Sequence, residues 1–412
     1  CNVILSFLMY GILFGSAQSI AVFFDHPSLE NMIKIFSLII IVNSFGLVQK
    51  VRLIKQINFK LQTVINLIAG VISGIVAVFC ALTLFGAWSI IIQTMLMQVI
   101  QVSLLWICNR WVPLFRFNFD SLKKLFTFSF QMMISTLINT IYNNLFYIII
   151  GKFYPTKLLS YYTNADKLNE MASVSITTAI QRVSYPMLSF IQNDEPRLKN
   201  AFRKTLRSAA YITFPVMIGL AVISDSLIYV LYGSKWLPMA GYFQFLCFIG
   251  MLYPLHAIYL NVLQVKGKSH LFLMLEIIKK LLMTILVIAA IWLQLGINGL
   301  IGVALIHSII CLFLNAYYPM KMLSYTVKEH MKDIVPIFIG AFLMGLIVYA
   351  ISFVLPNNEI IKLPCQIGIG ILSFIVLSRL MKIKELELFL SIVLSLLPKS
   401  LLSKRSKTNI RG

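Results

Sequence analysis

The chemistry available to this chain rests on ionisable and amide side chains that stand inside long apolar runs. Residues 161–188 hold Asp166, Lys167, Glu170 and Arg182, together with Asn164, Asn169, Thr177, Thr178 and Gln181. On a helix, positions 163, 167, 170, 174, 177, 178, 181 and 185 share one broad face, because three- and four-residue steps return to the same side. Charges within lipid are costly, so a face of this kind suits the wall of a water-filled path. Arg182 could grip phosphate oxygens in a bidentate fork, with Lys167 as a second cation. Asp166 and Glu170 could answer to a coupling proton or cation, and Gln181 could bond hydroxyls. A plainer reading competes: Lys167 and Glu170, three residues apart, neutralise each other near a helix end, and Arg182 anchors the cytoplasmic end of the helix.

The preceding run carries Ser135, Thr136, Asn139, Thr140, Asn143 and Asn144. Asn139 and Asn143 are one turn apart and continue a stripe from Thr136, which suits either sugar binding or hydrogen bonding between helices. A third cluster joins Glu276, Lys279 and Lys280, with Glu276 one turn before Lys280. A mutual ion pair and contact of Lys279 with a lipid pyrophosphate are the two readings there. Nucleotide loops, nucleophile elbows, zinc-protease helices and aspartate-rich loops are missing from the sequence. The five histidines are isolated and the six cysteines scattered without a CxxC pair, so no metal site, disulfide framework or cofactor is expected. Loops are too short for a catalytic or ATP-binding domain, which points to a protein that is not an enzyme and draws on a gradient or the membrane potential.

These side chains need helices that cross a bilayer to position them. The composition is 59% hydrophobic and 12% charged, with a mean hydropathy of +0.88. Crossing a hydrocarbon core takes about 20 apolar residues, and continuous apolar runs indicate helices rather than alternating barrel strands. The expected spans are 3–24, 32–50, 61–84, 86–107, 126–151, 161–188, 209–231, 239–263, 271–294, 297–320, 334–355 and 360–380, an all-α polytopic membrane protein of about twelve spans. The formal charge of +21 reports topology and not nucleic-acid binding. Alternate breaks, namely Lys50–Lys60, Arg110–Lys124, Arg197–Arg207, Lys266–Lys268, Lys321–Lys332 and the tail from Arg379, hold about 26 of the 35 Lys and Arg, which marks them as cytoplasmic.

An internal repeat pairs Phe59–Trp106 with Phe272–Tyr317, and Val3–Gln49 with Pro215–Asn261. Each copy of the first pair has a long helix, a tight turn (Gly86-Ala87-Trp88 against Gly296-Ile297-Asn298) and a second helix. Repeated halves are a transporter signature, with substrate held between them. The expected organisation is a four-span N-lobe over 1–109, an interfacial linker over 110–124, a six-span C-lobe over 125–320, two further spans over 321–382, and a cytoplasmic tail over 383–412 with a short interfacial segment. Equal halves would require about two more helices before residue 1.

The segments LINTIYNNLFYIIIGKFY (137–154), YYTNADKL (161–168), RVSYPMLSFIQND (182–194), PVMIGLAVISDSLIYVLYGSKWLP (215–238), LEIIKK (275–280) and NAYY (315–318) resemble, in order and spacing, the Wzx-type flippases. They are most similar to the colanic-acid and teichuronic-acid exporter branch of the multidrug/oligosaccharidyl-lipid/polysaccharide exporter superfamily. The resemblance implies two six-helix lobes around a central cavity, two extra C-terminal helices, and residence in the bacterial cytoplasmic membrane. It implies passage of undecaprenyl-pyrophosphate-linked oligosaccharide from the inner to the outer leaflet, alongside a polymerase and chain-length machinery. A multidrug exporter, a peptidoglycan-precursor flippase and a membrane glycan polymerase or ligase are the competing readings.

Overall fold

A backbone in lipid must bond its own amides, and the sequence answers with helices throughout. The computed structural model describes residues 2–56, 59–83, 86–109, 140–356 and 358–387, with Leu137 and Phe389, and no strand occurs among the described residues. Asn139, the linker over 110–124 and most of the tail lie outside them. Nine helical stretches among the described residues are long and apolar enough to cross a membrane. The helices divide between two compact units, Cys1–Phe153 and Tyr154–Gly412.

The first unit contains α1 (Asn2–Phe23), α2 (Leu29–Phe36), α3 (Leu38–Lys55), α4 (Phe59–Leu82), α5 (Trp88–Asn109) and α6 (Leu145–Phe153). The expected span 32–50 is interrupted at Ser37, whose hydroxyl donates to the Lys34 carbonyl at 2.9 Å. α5 packs against both α3 and α4. Gly46 permits the approach to α3, since a Cβ there would stand 2.8 Å from Val102 Cγ2. Polar ties reinforce that seam: Trp106 Nε1 donates to the Phe45 carbonyl and Asn109 Nδ2 to the Gln49 carbonyl, each at 3.0 Å. At the other end Lys152 Nζ meets Asp25 Oδ2 at 2.8 Å. That hydrogen bond and the ammonium charge hold the Asp25 carboxyl below its ordinary value of 3.8.

The second unit contains α7 (Thr156–Phe190), α8 (Glu195–Val222), α9 (Ser224–Tyr232), α10 (Ala240–Val265), α11 (Ser269–Trp292), α12 (Gly296–Met322), α13 (Val327–Ser352) and α14 (Glu359–Leu380). Its axis is α10, which packs against α7, α8 and α12 and buries Phe243, Leu246, Cys247, Leu255, Tyr259 and Val262. α13 packs on α8 and α14, and α11 on α12. Both hairpins of the internal repeat, α4–α5 and α11–α12, turn at a glycine with positive φ, Gly86 (49°) and Gly296 (68°). That backbone state favours glycine, because it has no Cβ.

Two basic loops differ from expectation. Arg197–Arg207 is the first part of α8, started by Asp194, whose carboxylate accepts from the Arg197 amide at 3.1 Å, with Pro196 in the first turn. Lys328 and Lys332 likewise belong to α13, opened by a capping box between Thr326 and Glu329. Charged residues extend these helices past the apolar stretch because caps satisfy the end amides that water alone would otherwise serve.

Contacts between loops distant in sequence sort the ends of the second unit. Lys199 reaches Ser324 and Glu329, Lys266 reaches Glu195, and Arg207 reaches Glu385. The basic segments assigned to one side by charge alternation therefore share one end. Tyr161 donates to the Lys235 carbonyl (3.2 Å) and Ser226 to Glu359 (2.5 Å) at the other.

α7 and α10 meet closely at Gly250. A Cβ there would overlap Asn169 Oδ1, lie 2.7 Å from Met217 Cε and 3.0 Å from Ser173 Cβ. Four residues on, Pro254 leaves the Gly250 carbonyl without its helical donor. Gly250→Val should therefore cost about 1–3 kcal/mol of overpacking, read as a lower melting temperature of the full-length protein in detergent, whereas Gly241→Ala, at an open site, should leave it unchanged. In the first unit, Asp25 is a depressed carboxylate, so its contribution is present above the ordinary carboxyl pKa and is lost as pH falls. The destabilisation by Lys152→Met should accordingly be constant from neutral pH to about 5 and vanish in more acid solution.

Candidate functional site: the open face of helix α7

α7 is polar on two sides, and the packing treats the sides differently. Tyr161, Tyr162, Ala165, Asn169, Ser173, Ser184 and Leu188 are buried. Among them Asn169 and Ser173 meet α10 at Gly250. Ser173 donates back to the Asn169 carbonyl at 2.7 Å, and Thr177 to the Ser173 carbonyl at 2.7 Å. Neither amide atom of Asn169 has a hydrogen-bond partner among the described residues, although the side chain is fully buried.

The opposite side carries the charges. Lys167, Glu170, Val174, Thr178 and Arg182 are exposed, while Asp166, Thr177 and Gln181 are half-buried. Of the positions expected on one face, 167, 170, 174, 178 and 185 are exposed and 163, 177 and 181 half-buried, while Arg182 is exposed beside them. Lys167 and Glu170 do not form an ion pair within 4 Å, and neither Lys167 nor Arg182 has an ion-pair partner among the described residues. At 1.5 Å per residue the two cations stand about 22 Å apart along the helix axis. They cannot grip one phosphate group together.

The remaining expected residues are placed less uniformly. Asn143, in the first unit, is exposed. Asn139 is outside the described residues. Lys279 pairs with Glu276, three residues earlier, and its carbonyl is bonded by His307 at 3.0 Å. Thus Lys279, the i,i+3 residue, is bonded to Glu276. Beside this pair runs a buried polar seam: His256 Nε2 lies 3.3 Å from Ser308 Oγ, and Asn315 Nδ2 lies 3.1 Å from His256 Nδ1. Its members come from α10 and α12, more than 50 residues apart, so the sequence showed only isolated histidines.

A second network missed by sequence reading closes one end of the unit. Arg203 grips Asp333 in a fork, Nε–Oδ2 at 2.7 Å and Nη2–Oδ1 at 3.0 Å. Tyr325 donates to the same carboxylate at 2.9 Å. Lys199 pairs with Glu329 at 3.1 Å and Arg207 with Glu385 at 2.7 Å. The spacing of 130 residues between Arg203 and Asp333 leaves no local signal. What could have been seen is a carboxylate, Asp333, standing at the edge of an apolar run, where an unpaired charge is costly.

These features define a multi-pass helical membrane protein with one lobe organised about a buried axis helix and a polar, charge-bearing helix at its side. The family model described as "Polysaccharide biosynthesis protein" matches residues 1–241, more than half of the chain, and the protein belongs to that family. It is 25% identical over 357 residues to the teichuronic acid biosynthesis protein TuaB of Bacillus subtilis (strain 168), covering 85% of this chain and 73% of that one. To the lipopolysaccharide biosynthesis protein WzxC of Escherichia coli (strain K12) it is 24% identical over 287 residues, covering 68% of this chain and 57% of the relative. The chain thus spans between about half and three quarters of the length of these relatives. Its fold is similar to that of the lipid II flippase MurJ in an inward closed conformation, with a TM-score of 0.70 at 18% identity, covering 92% of this chain and 81% of that one.

The Arg203–Asp333 pair supplies a direct test of the packing. Asp333 is 6% exposed, so Arg203→Ala, which leaves it only Tyr325 at 2.9 Å and Arg207 at 3.9 Å, should cost about 3 kcal/mol, the low end for a buried pair that loses one partner. The double replacement Arg203→Met/Asp333→Leu should recover much of that loss, as judged by thermal unfolding of the full-length protein in detergent.

Proposed function

We propose that the protein moves undecaprenyl-pyrophosphate-linked oligosaccharide units across the bacterial cytoplasmic membrane for assembly of a surface polysaccharide. The family match over residues 1–241 is the observation that carries this reading. The open face of α7 adds a physical reason. A diphosphate brings a charge of about −2, and removing it from water is costly unless cations receive it. Arg182 and Lys167 suit that task because neither has an ion pair within 4 Å among the described residues.

The separation of the two cations suggests an order. Arg182 lies toward the end of α7 that the basic loops assign to the cytoplasm, so it meets the diphosphate on entry and holds its oxygens in a fork. Lys167, nearer the other end, receives it later as a point charge. Gln181, Asn139 and Asn143 bond glycan hydroxyls, and the polyprenyl tail stays in lipid. Lys279 joins by exchanging Glu276 for the diphosphate. Asp166 and Glu170 take up a coupling proton or cation whose binding biases the conformations differently on the two sides. Translocation makes and breaks no covalent bond, so the protein acts as a transporter that hands its cargo to a polymerase and chain-length machinery.

Arg182→Ala in the full-length protein should abolish surface polysaccharide in a complementation assay while membrane abundance stays unchanged. Arg182→Lys should restore part of it, since the charge survives and the fork does not. Normal polysaccharide from the alanine variant would remove Arg182 from the substrate path.

A further inference from the structure

At the end of the second unit where Arg203 and Arg207 are held, a groove of about 420 Å³ opens beside α8. Asn200, Lys204 and Ser208 line it at four-residue intervals, which places them on one face over two turns. Lys384 closes the far wall together with the Arg207–Glu385 pair. The groove stands just before the apolar part of α8, which begins at Ala209. α8 is 28 residues long, more than the roughly 20 that a hydrocarbon core requires, so its charged first turns lie at headgroup depth.

The charges in this groove are of two kinds. Arg203 and Arg207 are fixed by Asp333, Glu329 and Glu385. Lys204 and Lys384 are exposed and have no ion-pair partner among the described residues. Two ammonium groups without an ion pair among the described residues, an amide and a hydroxyl therefore converge on a space whose carboxylate, Glu385, is already bonded by Arg207. The chain's own last residues, 398–412, carry five Lys or Arg and no Asp or Glu. Like charge makes them a poor occupant.

We propose that this groove binds the phosphate of an anionic membrane lipid headgroup, a site separate from the open face of α7. Basic pockets between helices at a membrane surface favour such headgroups through charge and phosphate hydrogen bonds. A lipid seated there would bridge α8 to the segment around Lys384, which follows the two C-terminal helices. The proposal rests on the membrane reading and not on the flippase one.

The test uses the full-length protein in neutral detergent, titrated with phosphatidylglycerol or phosphatidylcholine and read by native mass spectrometry. Wild type should retain phosphatidylglycerol preferentially, and Lys204→Gln/Lys384→Gln should lower that preference by about fivefold for each cation removed. The control pair Lys321→Gln/Lys328→Gln, with the same charge change outside the groove, should keep it. Unchanged preference in the first variant, or equal loss in the control, would overturn the proposal. Displacement of phosphatidylglycerol by inorganic phosphate at equal concentration would assign the groove to a free anion and overturn the lipid source. Neither lysine has an ion partner among the described residues to lose, and an unchanged melting temperature of the lipid-free variant confirms that folding is intact.

Discussion

A charge that leaves water for a low-dielectric slab needs a counter-charge, a bonded partner or a private supply of water. That requirement sorts the ionisable side chains of the second unit. Asp333 is nearly inaccessible, and Arg203 and Tyr325 both bond it. Glu385 is similarly buried and bonded by Arg207. Lys279, within the apolar run of α11, is matched by Glu276. Arg182 and Lys167 have no ion-pair partner among the described residues, although they stand on a helix of spanning length. For them the proposed function supplies water, in a hydrated path along α7.

The architecture serves that division. α10 is buried almost all round, and its small residue at Gly250 draws α7 into contact through Asn169 and Ser173. One side of α7 is thereby fixed by packing, which leaves the charged side turned away from the unit's interior. Ion pairs gather at one end, where Lys199, Arg203 and Arg207 on successive turns of α8 hold the start of α13 and Glu385. A lobe braced in this way can move as a body, which is what alternating access by rocking lobes asks of it.

Much of the helix map was legible in the sequence because twenty-residue apolar runs have few alternatives in lipid. Charge alternation was equally legible: loops grouped by Lys and Arg content do share an end of the second unit. The repeat's matching turns are visible in Gly86 and Gly296, where a positive φ calls for the residue type that the sequence supplies. The helical period put 163, 167, 170, 174, 177, 178, 181 and 185 on one face, of which 167, 170, 174, 178 and 185 are exposed and 163, 177 and 181 half-buried. It could not decide which neighbouring polar residue faces inward. Asn169 lies between Lys167 and Glu170, and the fit against Gly250, 81 positions away, turns it toward α10. Pairing was similarly hidden, because Arg203 and Asp333 meet through the packing of α8 on α13. Nor does spacing alone predict that Lys279 pairs with Glu276, since both three- and four-residue steps are permitted.

The central claim is that the exposed row of α7 faces water within the membrane. Single cysteines at positions 167, 170, 174, 178 and 182, and at the buried positions 162, 165, 169 and 173, would be placed in a cysteine-free, full-length protein. They would then be treated with a charged, membrane-impermeant thiol reagent in membranes open to both sides. Fast modification of the first row and protection of the second is the expected pattern. Protection of the first row against the charged reagent, with modification by an apolar maleimide, would place that face against lipid and contradict the account.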